Sequence, residues 1–266
     1  MTTIRFHRLR AVFLSVCLFA SFCVVANAAD VLFEDDFQIA ANEKTLDDIN
    51  QGAESRQHGT LAPAAYSSNG EGWQCKPNIG SSGNSGIRLY PSANRIPLVL
   101  SPAWRLSEEP GEYSFALQIR PRSWTESEGP EKILIALGAG EGSGVKGAPP
   151  DLAGAVVFEI NVNQTDGACS LRVLFDQAEA APSVELSALS ELTRLHDVTI
   201  RWKQAASKQV ESLSVEIDGA PVFNLPKAGF TLQGSAVLFG GQVGPAQQPK
   251  SQFADMSVGE IQYVKE

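Results

Sequence analysis

The chain has 266 residues, with 30 acidic against 21 basic side chains, a formal charge of −9 and a hydrophobic content of 43%. So acidic a surface, without a basic cluster to offset it, repels phosphate backbones. It argues against nucleic acid as a partner and against electrostatic docking on anionic membranes. The length suits one large all-β domain or two smaller ones, and either is large enough for its own core.

Residues 1–28 read as a secretory signal. Arg5, Arg8 and Arg10 precede the apolar run AVFLSVCLFASFCVV, and the small residues Ala26 and Ala28 prepare cleavage after Ala28. The run is short for a membrane-spanning helix, and no stop-transfer pattern follows. Phe22 before Cys23 departs from a lipidation signal. Removal of the leader takes away three of the 21 basic residues and no acid, leaving 18 against 30, or −12, in 238 residues. The expected location is therefore secreted or periplasmic, with no integral membrane segment in the processed chain.

In chain order, the stretch 31–37 opens the processed chain as a strand, VLFEDDF. Segment 38–66 is irregular: KTLDDINQGAESRQ forms either a helical turn or a surface excursion. Strands follow at 87–90 and 96–101, then in GEYSFALQIR, at 132–137, and in AVVFEINV, CSLRVLF, DVTIRW and ESLSVEIDG. The last two are at 235–239 and 256–264. Apolar residues alternate along them, as with Tyr113, Phe115, Leu117 and Ile119, or Val198, Ile200 and Trp202. Period two means one face packed and one wet. More than ten such strands imply two antiparallel sheets stacked face to face. Turn-rich separators lie at 67–72, 80–86 and 138–150, and Asp218-Gly219 marks a hairpin. The stretch 183–196 has room for one short helix. The 138–150 loop is the one place where a domain boundary can be drawn, but the strands on either side are too alike to favour it. The expectation is one domain over 29–266.

Cys75 and Cys169 remain after processing, an even pair in an oxidising compartment. Their disulfide is the favoured reading, and two buried free thiols are the other.

Three stretches resemble the concanavalin A-like lectin/glucanase superfamily of jelly-roll sandwiches, laminin-G-like modules included. They are the opening VLFEDDF, the segment LHDVTIRWKQAASKQVESLSVEIDGAPVFN at 195–224, and the closing SQFADMSVGEIQYV at 251–264. The resemblance implies an all-β two-sheet jelly roll and a saccharide partner, but chooses no activity. Related sandwiches often hold a calcium near the chain ends. Asp35, Asp36 and Asp255 are the candidate ligands. Asp35 shares strand parity with Phe33 and Phe37, so it faces the aromatic side. That placement is costly unless the strand bulges, or the acid is paired or metallated. The other reading is a wet turn.

Enzymatic candidates are sparse. The glucanase branch carries Glu-x-Asp-x-x-Glu on one strand, and nothing here matches it. Glu216 and Asp218 share a face, but Gly219 ends the strand; Glu126, Glu128 and Glu131 sit in a loop with Gly129 and Pro130. A lyase needs a neutralising group with a base and an acid. Arg56, Gln57 and His58 in SRQHG, with Tyr66 or Tyr90, are the best set, although the alginate-lyase signatures are absent. His196, before a period-two strand, reads as a polar edge residue. For glycan stacking, Trp73 with Gln74 and Asn78, and Trp124, stand in loop-like settings, as does Trp104; Trp202 reads as core. The expected function is a secreted module that binds carbohydrate or a cell surface without chemistry of its own. A polysaccharide hydrolase or lyase is the alternative, and a structural or adhesion module binding protein is the third reading.

Overall fold

In the computed structural model the described residues are 29–38, 45–71, 73–76, 86–89, 97–122, 129–163, 165–176, 178–179, 183–242 and 256–266. They form eighteen strands: β1 (Asp30–Asp35), β2 (Gln57–His58), β3 (Tyr66–Ser68), β4 (Trp73–Lys76), β5 (Gly86–Leu89), β6 (Leu98–Pro102), β7 (Gly111–Arg120), β8 (Lys132–Ala139), β9 (Val156–Val162), β10 (Cys169–Phe175), β11 (Ala178–Glu179), β12 (Val184–Glu185), β13 (His196–Gln204), β14 (Gln209–Ile217), β15 (Ala220–Leu225), β16 (Phe230–Thr231), β17 (Ala236–Gln242) and β18 (Met256–Lys265). Residues 1–28, expected to be a secretory signal, lie outside the described residues.

Among these residues the strands make two antiparallel sheets. The first runs β15-β14-β13-β7-β18-β1-β2, with β16 beside β14 and the β4–β5 pair beside β18. The second runs β11-β10-β9-β8-β17-β6-β3, with β12 beside β10. The expected sandwich is therefore present, and its inner faces follow the sequence alternation. Along β13, for example, Val198, Ile200 and Trp202 are buried while Asp197 and Lys203 are exposed. One large core lies between the sheets, built from residues such as Phe115, Ile135, Phe158, Ile200, Phe239 and Tyr263. Within it Trp104 stacks on Tyr263 at 5.0 Å, and Tyr263 on Trp202 at 5.9 Å.

The first and last described strands meet in the first sheet. β18 lies between β7 on one side and both β1 and β5 on the other, and Asp35 pairs with Ile261. The register with β1 shifts between Val31 and Phe33. The excursion after β1 carries two short helices, α1 (Leu46–Gln51) and α2 (Ala53–Arg56). Thr45 and Asp48 form a reciprocal capping box that starts α1, and Ile49 enters the core.

A second, smaller apolar cluster lies on the outer face of the second sheet. Val99, Leu134, Ala136, Val157 and Leu238 have the opposite parity to the core residues of their strands, yet all are buried. Residues 140–155 cover this cluster. The chain there is not a free loop: Leu152 packs on the cluster, and a 3-10 turn (Glu141–Gly144) lies against β3, β6 and β17. The 183–196 stretch contains another 3-10 turn (Ser187–Ser190) instead of a full helix.

One expectation is corrected. Cys169 is a free, buried thiol, so the Cys75–Cys169 disulfide is not formed. Cys75 lies on β4, paired with Ile87 in the first sheet, whereas Cys169 begins β10 in the second and turns its thiol to the local carbonyls of Gly167 and Leu189. Burial, and then the charge of Asp166, push it up to about 11.

Candidate functional site

Two polar arrangements carry the residues with chemistry. The first is sealed at the junction of β1, α2 and β3. Asp35 faces inward between Phe33 and Phe37, as its parity requires, and is completely buried. Its Oδ1 accepts from Arg56 Nε at 2.8 Å and from the Phe37 N–H at 2.9 Å. Its Oδ2 accepts from Gln57 Nε2 and Tyr66 Oη, each at 2.8 Å, and from Arg56 Nη2 at 3.2 Å. Arg56 also donates to the Ile49 carbonyl at 2.7 Å and lies over the Phe37 ring. Gln57 exchanges two hydrogen bonds with the Ala64 backbone. Every polar end in the cluster thus meets a partner, which is the condition for burying such groups. Burial, followed by the charge of Asp35 and the hydrogen bond to it, raises Tyr66 well above the ordinary phenol value, so it stays a donor.

This network decides several sequence-predicted roles. SRQHG divides: Arg56 and Gln57 point into the core, while His58 is exposed on β2, opposite Glu34. The nominated lyase set does not converge on one accessible place. For calcium, Asp35 does not fit, because both its oxygens are committed and a guanidinium already supplies the positive charge. Asp36 is half-buried and accepts from the Gln38 N–H. Asp255 lies outside the described residues. Among the described residues, no three His, Cys, Asp or Glu side chains come together as a metal site.

The aromatic candidates are largely packed. Trp73 is buried with its edge to Phe239, and its Nε1 donates to Ser68 Oγ at 2.8 Å. Its faces belong to the core, not to a sugar-stacking floor. Trp104 is buried as well. Gln74 lies on β4 opposite Arg88, while Asn78, Tyr90 and Trp124 lie outside the described residues. His196 is fully buried, its Nδ1 2.9 Å from Asp218 Oδ2 and its Nε2 3.1 Å from the Glu191 carbonyl. It anchors the β14–β15 turn and is closed to a substrate. The burial of Asp218 acts to raise its pKa; hydrogen bonds from His196 and the Asp197 N–H, with the charges of His196 and Arg194, outweigh this and lower it.

The second arrangement is on the outer face of the second sheet, and the sequence reading passed over it. Register places Glu185, Ser170, Asn161, Lys132 and Gln242 in one row across β12, β10, β9, β8 and β17. The next row holds Arg172, Glu159 and Leu134. Glu159 is nearly buried; its Oε1 accepts from Lys132 Nζ at 2.9 Å and its Oε2 from Arg172 Nη1 at 3.4 Å. Lys132, Asn161, Ser170 and Arg172 are half-buried. The face therefore offers amide, hydroxyl, ammonium and guanidinium groups to a ligand beside the covered apolar cluster. The missed signal was the "wet" parity of AVVFEINV and CSLRVLF, where Glu159, Asn161, Ser170 and Arg172 alternate with the core residues.

No protein-family model matches the chain, and no curated protein does. Solved structures do match in fold. An endo-1,3-β-glucanase from Streptomyces sioyaensis is 13% identical over 90% of this chain and 96% of that one, with a TM-score of 0.54. A carbohydrate esterase from the Shiga toxin-encoding bacteriophage phi24B is 12% identical over 90% and 100%, at 0.52. An alginate lyase solved with an alginate trisaccharide is 11% identical over 89% and 98%, also at 0.52. The chain thus has the two-sheet antiparallel jelly-roll fold of these structures. That fold is shared with proteins that act on polysaccharides.

Proposed function

We propose that the protein is a secreted or periplasmic jelly-roll module that binds a polysaccharide or cell-surface glycan and performs no chemistry on it. The observation that carries this reading is the half-buried polar row Ser170–Asn161–Lys132, beside the Lys132–Glu159–Arg172 ion pairs, on the outer face of the second sheet. Sugars are held by such fixed donors and acceptors near apolar surface. Binding is favoured over glycoside hydrolysis because that reaction uses two carboxyl groups flanking one bond. Here Glu159 spends both oxygens on cations, and Glu185, the other carboxylate of the two rows, stands two strands away.

The second reading is a polysaccharide-degrading enzyme, favoured by the names of the glucanase and the alginate lyase that share the fold. One experiment separates the two. A polysaccharide array, run with and without calcium, is scored for retention and for chain cleavage. The binding reading expects retention without cleavage, and at least a tenfold loss of retention in a Lys132→Ala/Arg172→Ala variant. Cleavage of a retained chain establishes the enzyme instead. Retention that is indifferent to the double substitution moves the site off this face. Calcium dependence would point to Asp36 and Asp255, since Asp35 is committed.

A further inference from the structure

Three observations about the 140–155 segment bear on how a glycan lies on the proposed face. First, the segment is fixed. The Gly140 N–H donates to the Asp151 carbonyl at 2.9 Å. Buried Ser143 donates to the Gly140 carbonyl at 2.7 Å and accepts from the Asp151 N–H at 3.0 Å. Second, it is bolted to the β6 side of the sheet by Asn69, itself 6% exposed. The Asn69 amide nitrogen donates to the carbonyls of Pro97 and Ala148, its Oδ1 accepts from the Val99 N–H, and its carbonyl accepts from the Gly147 N–H. Gly144 sits so close to Ser67 on β3 that a Cβ there would lie 2.2 Å from Ser67 Oγ. Third, the covering is one-sided. The 3-10 turn lies on β3, β6 and β17, and Val99 is completely buried. The half-buried polar residues of the rows lie on β8, β9 and β10 and, at Gln242, on β17.

A chain lying across the strands along the polar row therefore passes Gln242 on β17 and runs into a wall at β6, where Asn69 holds Ala148 beside Pro97 and Val99. From β12 to β17 the row spans four strand spacings, roughly 19 Å. We infer that this protein reads the end of a polysaccharide, or a short terminal stretch, and not an internal run. The inference rests on the glycan-binding reading and adds its mode. An internal segment must leave the site in both directions, and the Asn69-held wall removes one of them. An end needs only one exit.

The test counts binding sites per chain. Alginate and a water-soluble β-1,3-glucan are each prepared as a long-chain and a short-chain fraction. Binding is measured by calorimetry with the purified protein at equal sugar mass. The expected result, for whichever polymer binds, is a capacity that follows the number of chain ends: about one protein per chain in both fractions. Capacity that follows sugar mass, with many proteins on each long chain, overturns the inference while leaving glycan binding intact. If neither polymer nor any member of the array is retained, the binding reading fails and this one with it. A variant with 141–150 replaced by two glycines should raise the number bound per long chain at least threefold. If that variant does not fold, Asn69→Ala, which cuts the bolts to Pro97, Ala148 and Val99, provides the same readout, and an unchanged count in a folded Asn69→Ala protein whose loop has become protease-sensitive counts against the wall.

Discussion

Asp35 shows why a charged side chain can occupy the greasy side of a strand. Parity forces it inward with Phe33 and Phe37, and Arg56, Gln57, Tyr66 and the Phe37 N–H fill both its oxygens. A buried pair of this sort adds little over an apolar substitute, but removing one partner strands the other. Arg56→Ala should therefore cost about 3–5 kcal/mol in urea unfolding. Asp35→Leu/Arg56→Met should cost less than Arg56→Ala alone; a double variant as damaged as the single one would mean that the network does more than neutralise itself. Asp218 makes a second prediction at this scale. Its folded pKa is lowered, so its contribution is present above the unfolded value and is lost as pH falls through the folded one. Stability measured from pH 6 downward should decline below about pH 4, and Asp218→Asn should flatten that part of the decline while lowering stability at pH 6. Parallel curves for the two proteins would refute the assignment.

At the scale of elements, the alternating strands were readable because burial on one side of a sheet writes itself as period two. The paired ladder Val198–Ile217, Ile200–Val215 and Trp202–Leu213 is that pattern made physical. The outer face was not readable in the same way. Its apolar members Val99, Leu134, Val157 and Leu238 occupy positions that alternation assigns to water, and only the folding-back of 140–155 explains them. That segment, rich in glycine, alanine and proline, looks like a flexible separator, because composition does not show that Ser143 will be clamped between Gly140 and Asp151. Ser143→Ala removes a buried hydroxyl that pairs with three backbone groups, and should cost about 1–3 kcal/mol. It should also expose the loop to limited proteolysis, while an unaltered digestion pattern would show that Leu152 and the Asn69 bonds hold it down without the hydroxyl. The disulfide expectation failed for a similar reason: an even pair of cysteines invites pairing, but composition does not show that Cys169 will turn its thiol to the Gly167 and Leu189 carbonyls. Cys169, buried and with its thiol pushed up to about 11, should resist alkylation at pH 8 until the chain is unfolded. Mobility that changes on reduction, in non-reducing electrophoresis, would contradict this.

For the whole molecule, the sandwich class was legible from strand number and alternation, and the three superfamily-like stretches fall on β1, on β13 to β15, and on β18. The candidate site was legible only in fragments. SRQHG and VLFEDDF each contain a member of one network, but their 21-residue separation in sequence hides the Asp35–Arg56 contact. That contact ties β1 to α2, and the β1–β18 pairing binds the first described strand to the last. β18 is the less dispensable of the two, since it pairs with β7 along most of its length and supports β1 and β5 on its other edge. It also contributes buried Met256, Val258, Ile261 and Tyr263, the last stacked between Trp104 and Trp202. Deleting residues 256–266 should therefore abolish the cooperative unfolding transition and leave a chain that binds ANS or aggregates, as an opened sheet edge does. Deleting only Glu266 removes an exposed ion pair to Arg201 and a single backbone bond to Glu112, and should cost no more than about 1 kcal/mol. If the long deletion still unfolds cooperatively near the wild-type midpoint, the last strand is an accessory and the two sheets hold together without it. If the single-residue deletion is as harmful as the long one, the closing contact lies in the final side chain and not in the ladder.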